Sequence, residues 1–235
     1  MKKLDNKVAL VTGASRGIGA SLAKLLAKEG AQTVLLARTG EALEKLDDEI
    51  RAAGGLPPIL VAADLAQTEK LDALGAGLLE RFGYLDIFVG NAAMLGDLGP
   101  MTHTKPKQWE KVVDVNLTAN WRLLRILDPL LQRAQAGRAL FVTSGVTQMA
   151  LPFWGAYSVT KAALEKMVEI YAAENAQTSV KANLIDPGVV RTQMRATAMP
   201  GEDEATLPHP DEVVPEFLPY LLPDCDASGQ RFTIS

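Results

Sequence analysis

Short runs of β-branched and apolar residues alternate along this chain with longer stretches in which apolar residues recur every three or four positions. That alternation restricts it to a parallel sheet covered by helices. The candidate strands are Val8–Thr12, Thr33–Ala37, Pro58–Ala62, Ile87–Gly90, Ala139–Thr143, Val180–Ile185 and Arg231–Ile234. Between them the spacing predicts helices over Ile18–Glu29, Glu41–Ala53, Thr68–Phe82, Pro106–Ala134, Ala156–Ala176 and Asp211–Leu221. Crossovers of this length are right-handed and lead to an α/β, doubly wound sheet of about seven parallel strands with helices on both faces. No repeat or linker interrupts residues 1–235, so a single domain with one large core is expected. The least regular segment, 188–215, is rich in Pro, Thr and acidic residues. It follows the carboxyl end of the sixth strand, where open α/β sheets bind ligands, and reads as a candidate substrate lid.

The first strand runs into Thr12-Gly13-Ala14-Ser15-Arg16-Gly17-Ile18-Gly19, which opens the first helix. Glycines there allow a tight turn and a close backbone approach to a pyrophosphate, and the helix start presents free N–H groups to anionic oxygens. The spacing is Gly-x-x-x-Gly-x-Gly and differs from the Gly-x-Gly-x-x-Gly fingerprint. A strand, a glycine loop and a helix in this order point to a Rossmann-type dinucleotide-binding domain. The second strand ends Leu35-Leu36-Ala37-Arg38 with no carboxylate to take a ribose 2′-hydroxyl. Arg38 and Arg16 are instead suited to a 2′-phosphate, which favours NADP(H) over NAD(H).

Tyr157 and Lys161 lie one helical turn apart in Tyr157-Ser158-Val159-Thr160-Lys161, with Ser144 thirteen residues upstream. Side chains at i and i+4 share a helix face. A free tyrosine ionises near pKa ~10, and a neighbouring ammonium would favour the phenolate, so the pair reads as an acid/base site with Lys161 as the activating cation.

Composition narrows the field. The formal net charge of −4, with no basic block, argues against nucleic acid or an anionic membrane as the main partner. One cysteine, Cys225, cannot form an internal disulfide, and with two histidines it is too little for a protein-built zinc site. Neither a signal peptide nor a membrane span is legible, and a reducing, cytoplasmic compartment is expected.

With these pieces assembled, the chain resembles the short-chain dehydrogenase/reductase family along nearly its whole length. Thr12-Gly13-x-x-x-Gly17-x-Gly19 is similar to that family's cofactor loop. Asp64, followed by Leu65, resembles its adenine-contacting acid, and Asn91-Ala92-Ala93 its Asn-Ala-Gly motif. Pro187-Gly188-Val189-Val190-Arg191-Thr192 resembles its nicotinamide-side segment. Asn116, Ser144, Tyr157 and Lys161 fall in the order of its catalytic tetrad. The resemblance implies an NADP(H)-dependent oxidoreductase interconverting a carbonyl and an alcohol. Ser144 would bind the substrate oxygen, Tyr157 would transfer the proton while hydride moves at nicotinamide C4, and Lys161 would hold the ribose and lower the tyrosine pKa. Asn116 would bend its helix and hold a water leading to solvent. Cofactor contacts are implied for Gly13, Ser15, Arg16, Gly17, Ile18, Gly19, Arg38, Asp64, Leu65, Asn91, Ala92, Tyr157, Lys161, Pro187, Gly188, Val190 and Thr192. Two departures stand out: Gly90 where the family often has a second Asn, and Ala93 for its Gly. The competing reading is an NADP-binding regulatory or scaffold protein that keeps the fold without turnover, and the intact Ser144, Tyr157 and Lys161 set counts against it.

Met94, Met149, Trp154 and Met194 are the candidate substrate pocket, joined by Leu95, Phe153 and Met199, and they imply a small apolar substrate. His103 and His209 read as surface residues. The two long helices resemble the pair through which family members form dimers. Trp109, Trp121, Leu123, Leu127, Leu164, Met167 and Ile170 appear in excess of what one sheet face uses, so a homodimer or homotetramer is expected.

Overall fold

The computed structural model describes residues 2–67 and 71–234. Seven strands, β1 (Val8–Thr12), β2 (Gln32–Ala37), β3 (Ile59–Ala62), β4 (Ile87–Gly90), β5 (Arg138–Val142), β6 (Lys181–Asp186) and β7 (Arg231–Thr233), form one sheet in the order β3-β2-β1-β4-β5-β6-β7. Every pairing is parallel. Central strands of such a sheet are buried on both faces, which is why β1 reads as an unbroken apolar run ending in Thr12. The order reverses between β1 and β4, so the crevice at their carboxyl ends is the topological switch point.

Helices α1 (Gly17–Lys28) and α2 (Gly40–Ala52) cover one face, together with the turns of Val214–Leu221. The other face packs against α3 (Asp72–Phe82), α5 (Ala119–Arg133) and α6 (Gly155–Glu174). Leu22 and Leu26 with Leu43, Leu46 and Ile50 fill the first core; Leu123, Leu127, Leu131, Leu164 and Val168 fill the second. The Phe88 and Phe141 rings meet edge to face there, with centroids 5.4 Å apart. Among the described residues no helix is long and apolar enough to cross a membrane.

Three stretches differ from expectation, 106–134, 188–215 and the helix predicted over Asp211–Leu221, which is a four-residue helical turn ending at Val213 followed by a 3-10 helix over Val214–Leu221. The helix predicted over Thr68–Phe82 is described from Asp72, and its first residues, 68–70, lie outside the described residues. The stretch 106–134 is not one regular helix: α4 (Pro106–Val113) leads into a π-turn over Asp114–Thr118 before α5 begins. The segment 188–215 is more ordered than its composition predicts, carrying α7 (Gln193–Ala198) and the short α8 (Pro210–Val213). The bidentate pairing of Arg195 with Glu202, at 2.5 and 2.6 Å, folds the chain after α7 back onto it.

Three of the seven apolar residues counted toward a subunit interface are buried core, and Trp109 is half-buried. Leu123, Leu127 and Leu164 are fully buried and Met167 partly so, whereas Trp121 and Ile170 are about half exposed.

Candidate active site

The carboxyl ends of β1, β2, β4, β5 and β6 open on a cleft of about 570 Å³. At one end it is lined by Gly13, Ser15, Arg16, Gly17, Ile18, Arg38, Asp64 and Leu65, and at the other by Ser144, Tyr157, Lys161, Pro187, Gly188 and Val190, with Asn91 and Ala92 between them and Thr192 reaching back to within 3.4 Å of where a Cβ on Gly17 would lie. The glycine loop works through close approach. A Cβ on Gly19 would lie 2.3 Å from the Gly13 carbonyl oxygen, so glycine is what lets α1 start against the end of β1. Gly19 itself therefore supports the loop and does not line the cleft. No side chain caps α1 and its first turn holds no acid, which leaves its N–H groups free for an anion. Arg16 and Arg38 are exposed on the same cleft, and neither makes an ion pair among the described residues.

Thr12 and Asn91 fasten the switch point. The Asn91 and Ala92 amides both donate to the Thr12 hydroxyl at 3.0 Å, and the Asn91 side-chain amide donates back to the Thr12 carbonyl at 2.9 Å. The glycine preceding Asn91 has a packing cause. A Cβ at Gly90 would sit 2.4 Å from the Phe141 ring and 2.7 Å from the Asn120 amide oxygen, so the asparagine common in the family has no room here.

Tyr157 and Lys161 enter from the first two turns of α6, and Ser144 from the turn after β5. The phenol is 8% exposed, the lysine 1%. Ser144 stands beside the Tyr157 side chain in the cleft, and Trp154 packs edge-on to its ring at 6.1 Å. Burial, helped by the negative charge of Asp186, pushes the phenol up to about 12, against the smaller opposing pull of the neighbouring Ser144 hydroxyl. The expectation that Lys161 lowers this pKa is not met. Its ammonium donates to the Val142 carbonyl at 2.7 Å and lies 5.8 Å from the phenol ring centroid, and burial brings it down to about 8, with Glu165 pulling the other way.

Asn116 occupies the π-turn, fully buried and outside the cleft lining. Its oxygen accepts from the Met94 amide at 2.8 Å, and its amide donates to the Met94 carbonyl and the Thr160 hydroxyl, both at 3.0 Å. The Asn116 backbone carbonyl accepts from Asn120 at 2.9 Å. Both amide protons are thus committed to protein groups, and the side chain holds the Met94 loop against α6. π-turns concentrate at functional positions because the extra residue frees a carbonyl and re-aims its neighbours.

On the apolar side, Met94, Leu95, Val146, Trp154 and Met194 line the cleft. Met149, Phe153 and Met199 do not, and the sequence expectation fails for them. The single turn Gly145–Gln148 aims Val146 inward and leaves Met149 56% exposed, and a positive φ of 76° at Phe153 turns that ring to solvent. Ser21, Lys24 and His209 line the cleft without having been foreseen. His209 caps α8: its ring nitrogen accepts from the Asp211 amide at 3.2 Å while Glu212 accepts from the His209 amide at 3.0 Å. The Glu three residues after the cap was the available signal.

A switch-point cleft with a glycine loop at one end and a Ser-Tyr-Lys set at the other defines a nucleotide-dependent oxidoreductase architecture. The chain belongs to the short chain dehydrogenase family, whose model matches residues 7–203. It is 36% identical over 223 residues to the uncharacterized oxidoreductase YciK of Escherichia coli K12, covering 94% of this chain and 88% of that protein. The crystal structure of a short chain dehydrogenase from Salmonella enterica serovar Typhi superposes with a TM-score of 0.95 at 34% identity, over 99% of this chain and 97% of the other. A structure from Escherichia coli CFT073 complexed with NADPH gives 0.95 at 35% identity, over 99% and 98%.

Proposed function

We propose that this oxidoreductase uses NADP(H) to interconvert a carbonyl and an alcohol on a small apolar substrate, with Ser144, Tyr157 and Lys161 as its catalytic residues. The observation that carries the reading is the convergence of these three side chains in one cleft whose far end holds two arginines without ion-pair partners among the described residues. Arg16 and Arg38 fit the 2′-phosphate, and the uncapped start of α1 fits the pyrophosphate. A relative of 35% identity solved with NADPH supports the same choice. When bound, the cofactor supplies hydride at nicotinamide C4. The protein's part is the proton. A phenol held at about 12 is protonated at neutral pH and is suited to donate to a developing alkoxide, with Ser144 hydrogen-bonding the same oxygen. Lys161, buried one turn away, is placed to hold the nicotinamide ribose. Asn116 contributes by fixing the Met94 loop that forms the cleft wall.

Leu95, Val146, Trp154 and Met194 form an apolar wall beside Tyr157, which supports an apolar carbonyl compound as substrate. Trp121 on α5 and Ile170 on α6 are the exposed apolar side chains that support self-association through these helices, and sedimentation across a concentration range tests it. The chemistry is tested by following NADPH absorbance with a panel of apolar aldehydes and ketones, beside NADH and the Tyr157→Phe variant. Turnover lost in Tyr157→Phe, with NADPH bound more tightly than NADH, is expected. NADPH binding without any Tyr157-dependent turnover would return the protein to the regulatory class.

A further inference from the structure

One turn beyond Lys161 on α6, Glu165 faces away from the cleft lining yet touches the segments that carry the site. One of its oxygens, Oε1, accepts from the Thr143 hydroxyl at 2.6 Å, lies 2.9 Å from the Thr147 hydroxyl and accepts from Arg231 Nε at 3.1 Å. Thr147 also lies 3.0 Å from the Ser144 carbonyl and shares its single proton between the two acceptors. Thr143 and Thr147 flank Ser144, so one carboxylate oxygen fastens the serine turn to the helix bearing Tyr157 and Lys161. Arg231, from the edge strand β7, reaches past Glu165 to donate to Asp186 at 2.8 Å, and the other Asp186 oxygen accepts from the Gly188 amide at 3.1 Å. The Glu165, Asp186 and Arg231 side chains are only 13%, 6% and 22% exposed.

We propose that Glu165 is a positioning residue for the Ser144, Tyr157 and Lys161 set, and that Arg231 locks it in place and extends the fastening through Asp186 to the Pro187-Gly188 segment. The inference rests on the acid/base reading above and goes beyond it, because none of the three residues touches the reacting atoms. Two carboxylates and one guanidinium leave the cluster one negative charge, set behind a buried lysine and phenol. Glu165 acts on Lys161, and Asp186 acts on Tyr157. Removing the carboxylate and removing the guanidinium must therefore act on Lys161 with opposite sign, which simple loosening of the fold would not do.

The test needs no substrate for its main arm. The Lys161 titration is followed by NMR of lysine ¹³Cε in the full-length protein, assigned with Lys161→Met. Glu165→Gln is expected to move the midpoint down by about one pH unit, and Arg231→Gln is expected to move it up, with Arg231→Lys returning it toward the parent value. In a second arm, NADPH-dependent reduction of benzil, a small apolar diketone, is expected to show kcat falling tenfold or more in Glu165→Gln with KM for NADPH within about threefold. Shifts of the same sign in Glu165→Gln and Arg231→Gln, or no shift in either, would overturn the proposal. Tyr157→Phe run in parallel separates the two ideas: normal benzil turnover in that variant refutes the acid/base reading, whereas its loss beside an unaffected Glu165→Gln refutes the positioning role alone.

Discussion

Lys161 gives the sharpest quantitative expectation, because the residue assigned to chemistry is one the fold pays to keep. Burial lowers its pKa from 10.5 to about 8. At about 1.4 kcal/mol per pH unit, holding the charged form inside the folded protein costs about 3 kcal/mol at pH 7. Lys161→Met keeps much of the side-chain volume and removes that cost. It also leaves the Val142 carbonyl without its donor, now met at 2.7 Å, which costs about 1–2 kcal/mol. The variant is therefore expected to be more stable than the parent by about 1–2 kcal/mol at pH 7, or about 3–6 °C in Tm for a chain of this size, while losing turnover. The pH dependence fixes the cause. Between pH 8 and 10.5 the unfolded chain holds a proton at this lysine that the folded protein has released, so parent stability rises with pH through that window. The variant lacks this gain, and its advantage should vanish by pH 10.5 and give way to the missing hydrogen bond. Urea unfolding followed by circular dichroism, without added nucleotide, measures both. A variant less stable at pH 7, or a difference constant from pH 7 to 10.5, would refute the reasoning.

Gly90→Asn, which restores the residue common in the family, should lose about 2–4 kcal/mol in urea unfolding because of Phe141, and Phe141→Leu in the same chain should recover part of it. Asn116→Ala strips three buried hydrogen bonds and should cost about 2–4 kcal/mol, with hydrogen exchange at the Met94 amide accelerated more than in β1. Arg195→Ala frees Glu202 and should raise KM for an apolar carbonyl substrate severalfold with little change in Tm, since both partners are partly exposed.

The sheet was legible because burial on both faces forces nearly continuous β-branched and aliphatic strands, and no strand boundary read from sequence shifts by more than one residue. The cleft ends were legible for a different reason: glycine spacing and the helical interval between Tyr157 and Lys161 translate directly into which atoms share a space. What stayed hidden depends on backbone events that leave little trace in residue type. A π-turn adds one residue to a helix without disturbing the apolar rhythm on either side, so 106–134 reads as one unbroken rod. The inward turn at Val146 and the positive φ at Phe153, an aromatic and not a glycine, invert which apolar residues face the substrate. Apolar count alone also does not separate core from free surface at α5 and α6, where Leu123, Leu127, Leu164 and Met167 pack into the second core while Trp121 and Ile170 do not. The direction of the Tyr157 pKa was missed because the sequence supplies the neighbouring cation but not the depth at which both groups are buried.

Arg138, at the start of β5, is 4% exposed and has no carboxylate partner among the described residues. Its guanidinium is satisfied by backbone carbonyls of Gly137, Ser179, Leu222 and Pro223. Two of those four acceptors are translated more than eighty residues after the arginine itself. A nascent chain released only as far as β6 would thus carry an interior cation with half its acceptors still unmade. The final stretch of synthesis is consequently what closes the fold, and chains cut short before residue 222 should be recovered as aggregates or as protease targets instead of as smaller native sheets.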